Sequence, residues 1–341
     1  MDIDKLLSKY DYKYPEKLIA TEPVHPRDSA KLLVYDKKTK KISFDIFRNL
    51  GKYLPKKSVL VFNNTKVLPA RITVTKETGG HVHLLYISHN KNQVTALSDK
   101  PLKPEMKLFL DGKHLLTTKT KSASGWILDL NLTAVKFRGI LKKYGMMPLP
   151  PYLVKRTHLT KQELEKEYQT VFALKEGSVA APTASLHFTK SLINKLEKSG
   201  IEICYATLHV GLGTFASLTE DNLKNKSLHI ENYSIDKITA KKLLKLKSQG
   251  YRIIPVGTTA LRTLETAFGR NQLSGATDLF IQEGYEFKFA DGLITNFHVP
   301  KSSLIMLVST LIGRMKTLEL YNLAIRKKFR LFSFGDGMLV K

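Results

Sequence analysis

Cysteine is nearly absent from the chain: 341 residues contain one, Cys204. A single thiol excludes an intramolecular disulfide and cannot by itself build a thiolate metal centre, which suits a reducing compartment. It lies in the apolar run Ile201-Glu202-Ile203-Cys204-Tyr205, where a buried structural thiol is expected. Long hydrophobic runs are also missing. The longest, Leu304 to Ile312, is too short to span a bilayer, and the opening MDIDKLLSKY has early acids and no apolar signal core. The expectation is a cytoplasmic protein without membrane contact. No Walker signature occurs and no Gly-x-Gly-x-x-Gly follows a strand, so P-loop NTPase and ordinary Rossmann readings lose support. No His-x-x-x-His pair occurs either, and no metal is expected.

Acidic residues are scarce as well. Thirty Asp and Glu stand against 55 Lys and Arg, a formal net charge of +25. The excess is spread evenly, +7 over residues 1–69, +8 over 70–150 and +10 over 151–341, with no basic tail. Such a charge attracts polyanions, but solvated lysine-rich faces explain it equally well at this point.

What the chain does have is apolar material, 43% of residues, and a length that favours two domains over one. The strand Ser58–Phe62 runs into Asn63-Asn64, a turn with spare polar side chains. From Ala70 to Lys143 short alternating runs are spaced by turns such as Thr78-Gly79-Gly80 and Asp111-Gly112, the grammar of a small barrel or sandwich, with a helix from Thr133 to Lys143 sealing its end. After the connector Met147-Pro148-Leu149-Pro150-Pro151, α/β alternation takes over. Helices are expected over 189–198, 237–248, 260–268, 303–312 and 318–328, strands over 201–208 and 251–256, and a strand pair around Leu279–Phe289. The fold class is α/β: a larger domain formed by residues 1–69 and 148–341, with a small all-β, barrel-like domain, 70–147, inserted in it.

Four polar, glycine-bearing segments fall at ends of apolar elements, where open α/β sheets place their sites. They are Gly177–Thr189, Thr207–Phe215, Val256–Arg262 and Asp291–Pro300. In the third, a strand enters a helix through Gly257-Thr258-Thr259 and exposes backbone N–H donors beside the positive helix end, which can hold a carboxylate or phosphate. Arg262 can add a bidentate clamp, or the whole can be an ordinary capped helix with Arg262 in a salt bridge. His187, His209 and His298, one in each of the other segments, can be acid/base groups or hydrogen-bonded structure. His81 and His83 share one strand face, as surface residues also do. Asp336, in Phe334-Gly335-Asp336-Gly337, is a turn acid.

Taken together, the segments resemble the S-adenosylmethionine:tRNA ribosyltransferase-isomerase family of queuosine biosynthesis. The similarity runs through Tyr14–Ala20, Pro26-Arg27-Asp28, Asn63–Arg71, Thr78-Gly79-Gly80, Met147–Tyr152, Tyr168–Ala173, the four segments above, His229-Ile230-Glu231 and Ser333–Leu339, in order and over essentially the whole chain. Ser185 stands where the family usually has Gly, Ser303 where it has Thr, and Glu283 where Pro is common; the β-rich insert matches least, with His83 at an often acidic position.

The resemblance implies transfer and isomerisation of the ribosyl part of S-adenosylmethionine onto 7-aminomethyl-7-deazaguanine at the tRNA wobble position, giving epoxyqueuosine in tRNA, adenine and methionine. S-adenosylmethionine is then a consumed cosubstrate, no resident cofactor is expected, and the protein is expected to meet the tRNA anticodon loop as a monomer. It implies that His187, His209, His298 and Asp336 surround the ribose and supply the base and acid, roles the sequence does not divide among them. Thr183 and Glu231 would contact the substrate, and Gly257, Thr258, Thr259 and Arg262 would take its carboxylate. The basic segments Lys237–Lys247 and Arg326–Arg330 are the candidates for flanking phosphates. Two rival classes remain: a methyltransferase, which would return S-adenosylhomocysteine, and a non-catalytic RNA-binding protein, which leaves the polar segments unexplained.

Overall fold

Buried strands that run parallel must be apolar on both faces, and Ser58–Asn63, every residue of it buried, forms the centre of a nine-stranded sheet. In a computed structural model that describes residues 3–122, 125–154, 156–211 and 218–341, it is flanked in parallel by Glu202–Leu208 and Arg252–Val256. Outward from the first lie Ser227–Ser234 and Ser274–Leu279; outward from the second lie Leu293–Asn296, Gly337–Val340, Lys31–Tyr35 and Ile42–Ile46. The helices Lys190–Lys198, Lys237–Ser248 and Thr258–Gly269 form where expected. Thr189 and Asp236 cap the first two, accepting from the N–H groups of Leu192 and Thr239. Cys204 is buried in the sheet, and burial pushes its thiol up to about 11.

The β-rich segment closes into a six-stranded barrel, its strands lying between Arg71 and Leu130. Alternate residues point inward: Val74, Val82, Leu84, Val94, Leu108, Leu116 and Leu128 form one apolar cluster. The helix Ala134–Tyr144 plugs it with Phe137 and Leu141, and its cap is Thr133. The α/β class with an inserted β-barrel is thus what the chain adopts. At the neck, Arg71 and Met146 exchange both backbone hydrogen bonds (3.1 and 2.8 Å). A side chain at Gly145 would bring its Cβ within 1.9 Å of the Pro69 carbonyl oxygen, so the two connections can run side by side only with glycine there.

One expectation fails. There is no strand pair around Leu279–Phe289: the strand Ser274–Leu279 ends there and the chain continues in turns. The reason is Glu265, buried on the helix Thr258–Gly269, whose carboxylate accepts from the backbone N–H groups of Lys288, Phe289 and Ala290 at 2.7–3.0 Å. These donors need no strand partner. No helix among the described residues is long and apolar enough to cross a membrane.

Candidate active site

The C-terminal ends of the three parallel strands are tied together by one side chain. Asn63 donates through Nδ2 to Leu208 O (2.9 Å) and Thr259 Oγ1 (3.1 Å), and its Oδ1 accepts from the N–H groups of Thr65 and Leu208 (3.1 Å each). All four hydrogen-bonding positions of a fully buried amide are used. The neighbouring Asn64 accepts from Thr207 Oγ1 at 2.7 Å.

Above this edge opens a cleft. Thr183 and Ala184 line it from one short helix, Gly257, Thr258 and Thr259 from the start of another, and Thr295 to His298 from the end of a strand; Tyr152, Tyr168, Phe332 and Ser333 come from elsewhere in the chain. Gly257, at φ 92°, makes the turn from strand into helix, a conformation glycine adopts without strain. The first helical hydrogen bond is Leu261 N–H to Gly257 O, so the N–H groups of Thr258, Thr259 and Ala260 have no partner within the helix. The Tyr168 hydroxyl is fully buried. Among the described residues the lining includes no Lys, Arg, Asp or Glu, in a chain of net charge +25.

The histidines take three different places. His298 lines the cleft itself, with Nε2 2.7 Å from Thr295 Oγ1, its backbone N–H on the Tyr321 hydroxyl and its carbonyl accepting from Tyr12. Burial pushes its imidazole down to about 3. His187 stands behind the cleft wall, packed on Phe47 with ring centroids 4.6 Å apart. Asn296 links it to the cleft: its Oδ1 accepts from Thr183 Oγ1 (2.9 Å) and its Nδ2 faces both Gly335 O (3.4 Å) and His187 Nε2 (3.3 Å). A carbonyl only accepts, so the amide turns Nδ2 toward it; His187 Nε2 is therefore an acceptor and its proton sits on Nδ1. Burial, then Arg330 and Arg27, hold His187 down to about 3. His209 lies farther along the edge, Nδ1 2.9 Å from Thr65 Oγ1, and is lowered by burial and Lys175. A side chain at Gly177 would collide with its ring at 2.8 Å.

Asp336 is not at the cleft. Its Oδ1 accepts from Lys31 N–H (3.0 Å) and its Oδ2 from Arg330 N–H (2.8 Å), clamping the turn that carries Phe332 and Ser333. Burial raises its carboxyl, against the opposing pull of Arg330 and Lys31. Glu231 and Arg262, both buried, form an ion pair in an adjoining pocket that shares Leu304 with the cleft. Glu231 also accepts from Gly211 N–H (2.8 Å), Arg262 Nε donates to Leu279 O (3.0 Å), and Arg262 Nη2 has no partner among the described residues. The structure therefore separates Arg262 from Thr258 and Thr259. Of the segment Thr207–Phe215, residues from Leu212 on lie outside the described residues. Among the described residues no group of three or more His, Cys, Asp or Glu is placed to hold a metal ion. Asn296, Tyr152, Tyr168 and Ser333 are cleft residues that sequence reasoning did not single out.

The neutral histidines make folding pH-dependent. His187 and His298 are each held near 3 when folded against an ordinary 6.5, so between these values the unfolded chain binds protons that the folded chain does not, and stability falls as pH falls through that window; His209, also lowered, acts in the same sense. From pH 7 to pH 5 the loss should be about 2 kcal/mol per histidine, ~4 kcal/mol for the two, with Asp336 acting weakly in the opposite sense. Urea denaturation at both pH values measures it. His298→Asn should remove about half of the drop; a drop of unchanged size in that variant would contradict the assignment.

Comparison with known proteins follows the same lines. Residues 7–340 match the family model described as queuosine biosynthesis protein. A protein of Thermosipho melanesiensis named S-adenosylmethionine:tRNA ribosyltransferase-isomerase is 42% identical over 341 residues, 98% of this chain and 99% of that one. One of the same name from Carboxydothermus hydrogenoformans is 41% identical over 347 residues, again 98% and 99%. The crystal structure of an S-adenosylmethionine tRNA ribosyltransferase from Thermotoga maritima shares 32% identity at a TM-score of 0.56, covering 98% of this chain and 100% of its own.

Proposed function

Because this chain belongs to the S-adenosylmethionine:tRNA ribosyltransferase-isomerase family of queuosine biosynthesis, and so is a transferase and isomerase, we propose that it moves the ribosyl part of S-adenosylmethionine onto 7-aminomethyl-7-deazaguanine at the tRNA wobble position. The products are epoxyqueuosine in tRNA, adenine and methionine. The observation that carries this reading is the uncharged cleft. A sulfonium ion would be repelled by lysine or arginine, and a strongly basic protein that keeps both out of one cleft, lining it with hydroxyls, aromatic rings and a neutral imidazole, offers a cation a place to sit.

The roles follow from position. The free N–H groups at the start of the helix Thr258–Gly269 bind the methionyl carboxylate, at the positive end of the helix. Thr183 donates its hydroxyl proton to Asn296, which leaves its lone pairs to accept from a ribose hydroxyl or a substrate amine. His298, neutral beside the substrate, takes the proton from the carbon next to sulfur and returns one to the departing adenine, so a single imidazole balances both transfers. The tRNA amine then attacks the ribosyl carbon and gives its proton to solvent, and closure of the epoxide breaks the carbon–sulfur bond, whose electron pair leaves with methionine. His187 and Asp336 act from behind the cleft, the first through Asn296 and the second through the Phe332–Ser333 turn; the Glu231–Arg262 pair holds the adjoining wall.

Incubation with S-adenosylmethionine and precursor-bearing tRNA tests the reading. Adenine and methionine should appear in equal amounts and only when both substrates are present. S-adenosylhomocysteine in their place would mean methyl transfer, and no product at all would mean a binding protein.

A further inference from the structure

The two basic segments pack on the same face of the sheet at different places, the helix Lys237–Ser248 over Val59, Val61 and Ile253 and the segment after Arg326 over Leu33, Met338 and Val340. Lys242 and Lys247 of the helix Lys237–Ser248 pair with Glu202 (2.7 Å) and Asp291 (3.6 Å), at the N-terminal ends of the parallel strands and away from the cleft. Lys237, Lys241 and Lys245 of that helix have no ion pair among the described residues, so what sets the segment after the helix Arg314–Arg326 apart is that it leads through Arg330 to Ser333 at the cleft. Lys327 and Lys328 are exposed, and among the described residues no carboxylate lies within ion-pair distance of either. Lys327 Nζ lies 5.7 Å from the centre of the ring of Phe44, which is 40% exposed. Lys31 reaches under them, donating to the carbonyls of Lys327 and Lys328 (3.0 and 2.9 Å) while lying over Phe329.

This patch is continuous with the cleft. Asp336 binds the backbone of both Lys31 and Arg330, and the chain runs from Arg330 through Phe332 to Ser333. Arg330 shares a surface notch with His187 and Ser333, and Ser333 also lines the cleft. Arg330 donates Nη1 to Glu22 O (3.0 Å) and its Nε lies 3.6 Å from Asp336 Oδ1, while its buried Nη2 has no acceptor among the described residues. Phe332 itself is held at φ 71°, a conformation rare for a bulky residue and one the Asp336 clamp sustains.

We propose that the surface formed by Phe44, Lys31, Lys327, Lys328 and Arg330 carries the single-stranded RNA beside the reacting nucleotide, with phosphates on the cations, one base on Phe44 and Ser333 marking the way into the cleft. Lysines without carboxylate partners around an exposed ring, here Lys31, Lys327 and Lys328 around Phe44, are the arrangement that holds a polynucleotide strand without reading its sequence. The proposal rests on tRNA being the substrate, and it gives the other basic helix no part in binding.

Binding of a fluorescent anticodon stem-loop separates these claims. K327A/K328A should weaken it by on the order of tenfold at 0.1 M salt and reduce the slope of log affinity against log salt by about 1.4–1.8, the share of two phosphates. Phe44→Ala should weaken it roughly tenfold with the slope unchanged. K241A/K245A, on the far helix, should bind as the wild type does. In turnover, K327A/K328A should raise KM for tRNA and leave KM for S-adenosylmethionine and kcat alone. Equal losses in the two lysine pairs, or none in K327A/K328A, would overturn the proposal. So would a wild-type dimer that Phe44→Ala dissociates while RNA binding is unchanged, since the face would then belong to a second copy. Wild type that binds RNA without releasing adenine would refute the proposed reaction and leave the surface standing; wild type that binds no RNA would refute both.

Discussion

His298→Asn should lower kcat by roughly 10²–10⁴-fold, the range in which a positioned general acid or base contributes. KM for S-adenosylmethionine should change little, because the carboxylate is held at the helix start and the imidazole acts only as the proton moves. The comparison with His187→Asn is what makes the prediction sharp. His187 reaches the cleft only through Asn296, so its loss should be partial and shared by Asn296→Ala. Rates under single-turnover conditions, with far-ultraviolet circular dichroism to establish folding, give the answer. If His187→Asn is dead and His298→Asn retains full turnover, the roles of the two residues are reversed.

Arg262→Met should cost about 3–5 kcal/mol of folding stability, since it leaves the carboxylate of Glu231 buried with the Gly211 N–H as its one remaining partner among the described residues. Removing both charges in R262M/E231Q should recover much of the loss, because the desolvation penalty goes with them. Urea midpoints of the two variants measure the difference. If Arg262 clamped the substrate carboxylate instead, Arg262→Met would raise KM for S-adenosylmethionine with little loss of stability. The pair thus separates a residue that holds a wall from one that holds a ligand.

Local signals in the sequence reach a certain distance and stop. Thr189 and Asp236 announce their helices because a cap is a contact across three residues, and the barrel strands announce themselves by alternation. The cleft's position at the C-terminal edge is legible from glycine and hydroxyl residues at strand ends, and Thr183, Gly257, Thr258, Thr259 and His298 do line one cleft. What needs tertiary geometry is not legible. Glu265 looks like an ordinary helix acid, yet its three backbone acceptances replace a strand. Arg262 sits one turn from Thr258 in sequence and faces Glu231 instead, a partner 31 residues away. Tyr152, Tyr168 and Ser333 stand in segments that carry the family resemblance, but nothing local in those segments shows that the three line one cleft. Asn63 is half legible: the paired asparagines mark a turn, but nothing nearby shows that one of them ties three chain segments together.

The charge has a similar history. Spread over the whole chain, +25 points to no particular partner. In three dimensions no cation lines the cleft among the described residues, and Lys327 and Lys328, without carboxylate partners, stand on the segment that leads to it. Both halves of that arrangement suit a reaction that joins a small cation to a large polyanion.

The most direct measurement uses S-adenosylmethionine labelled with carbon-13 in the ribose and follows the label by mass spectrometry of the digested tRNA. The expected result is a wobble nucleoside carrying all the ribose label, one adenine released per nucleoside formed, and no such transfer by His298→Asn on the same time scale. Ribose label found in S-adenosylhomocysteine, with only a methyl group on the tRNA, would contradict it.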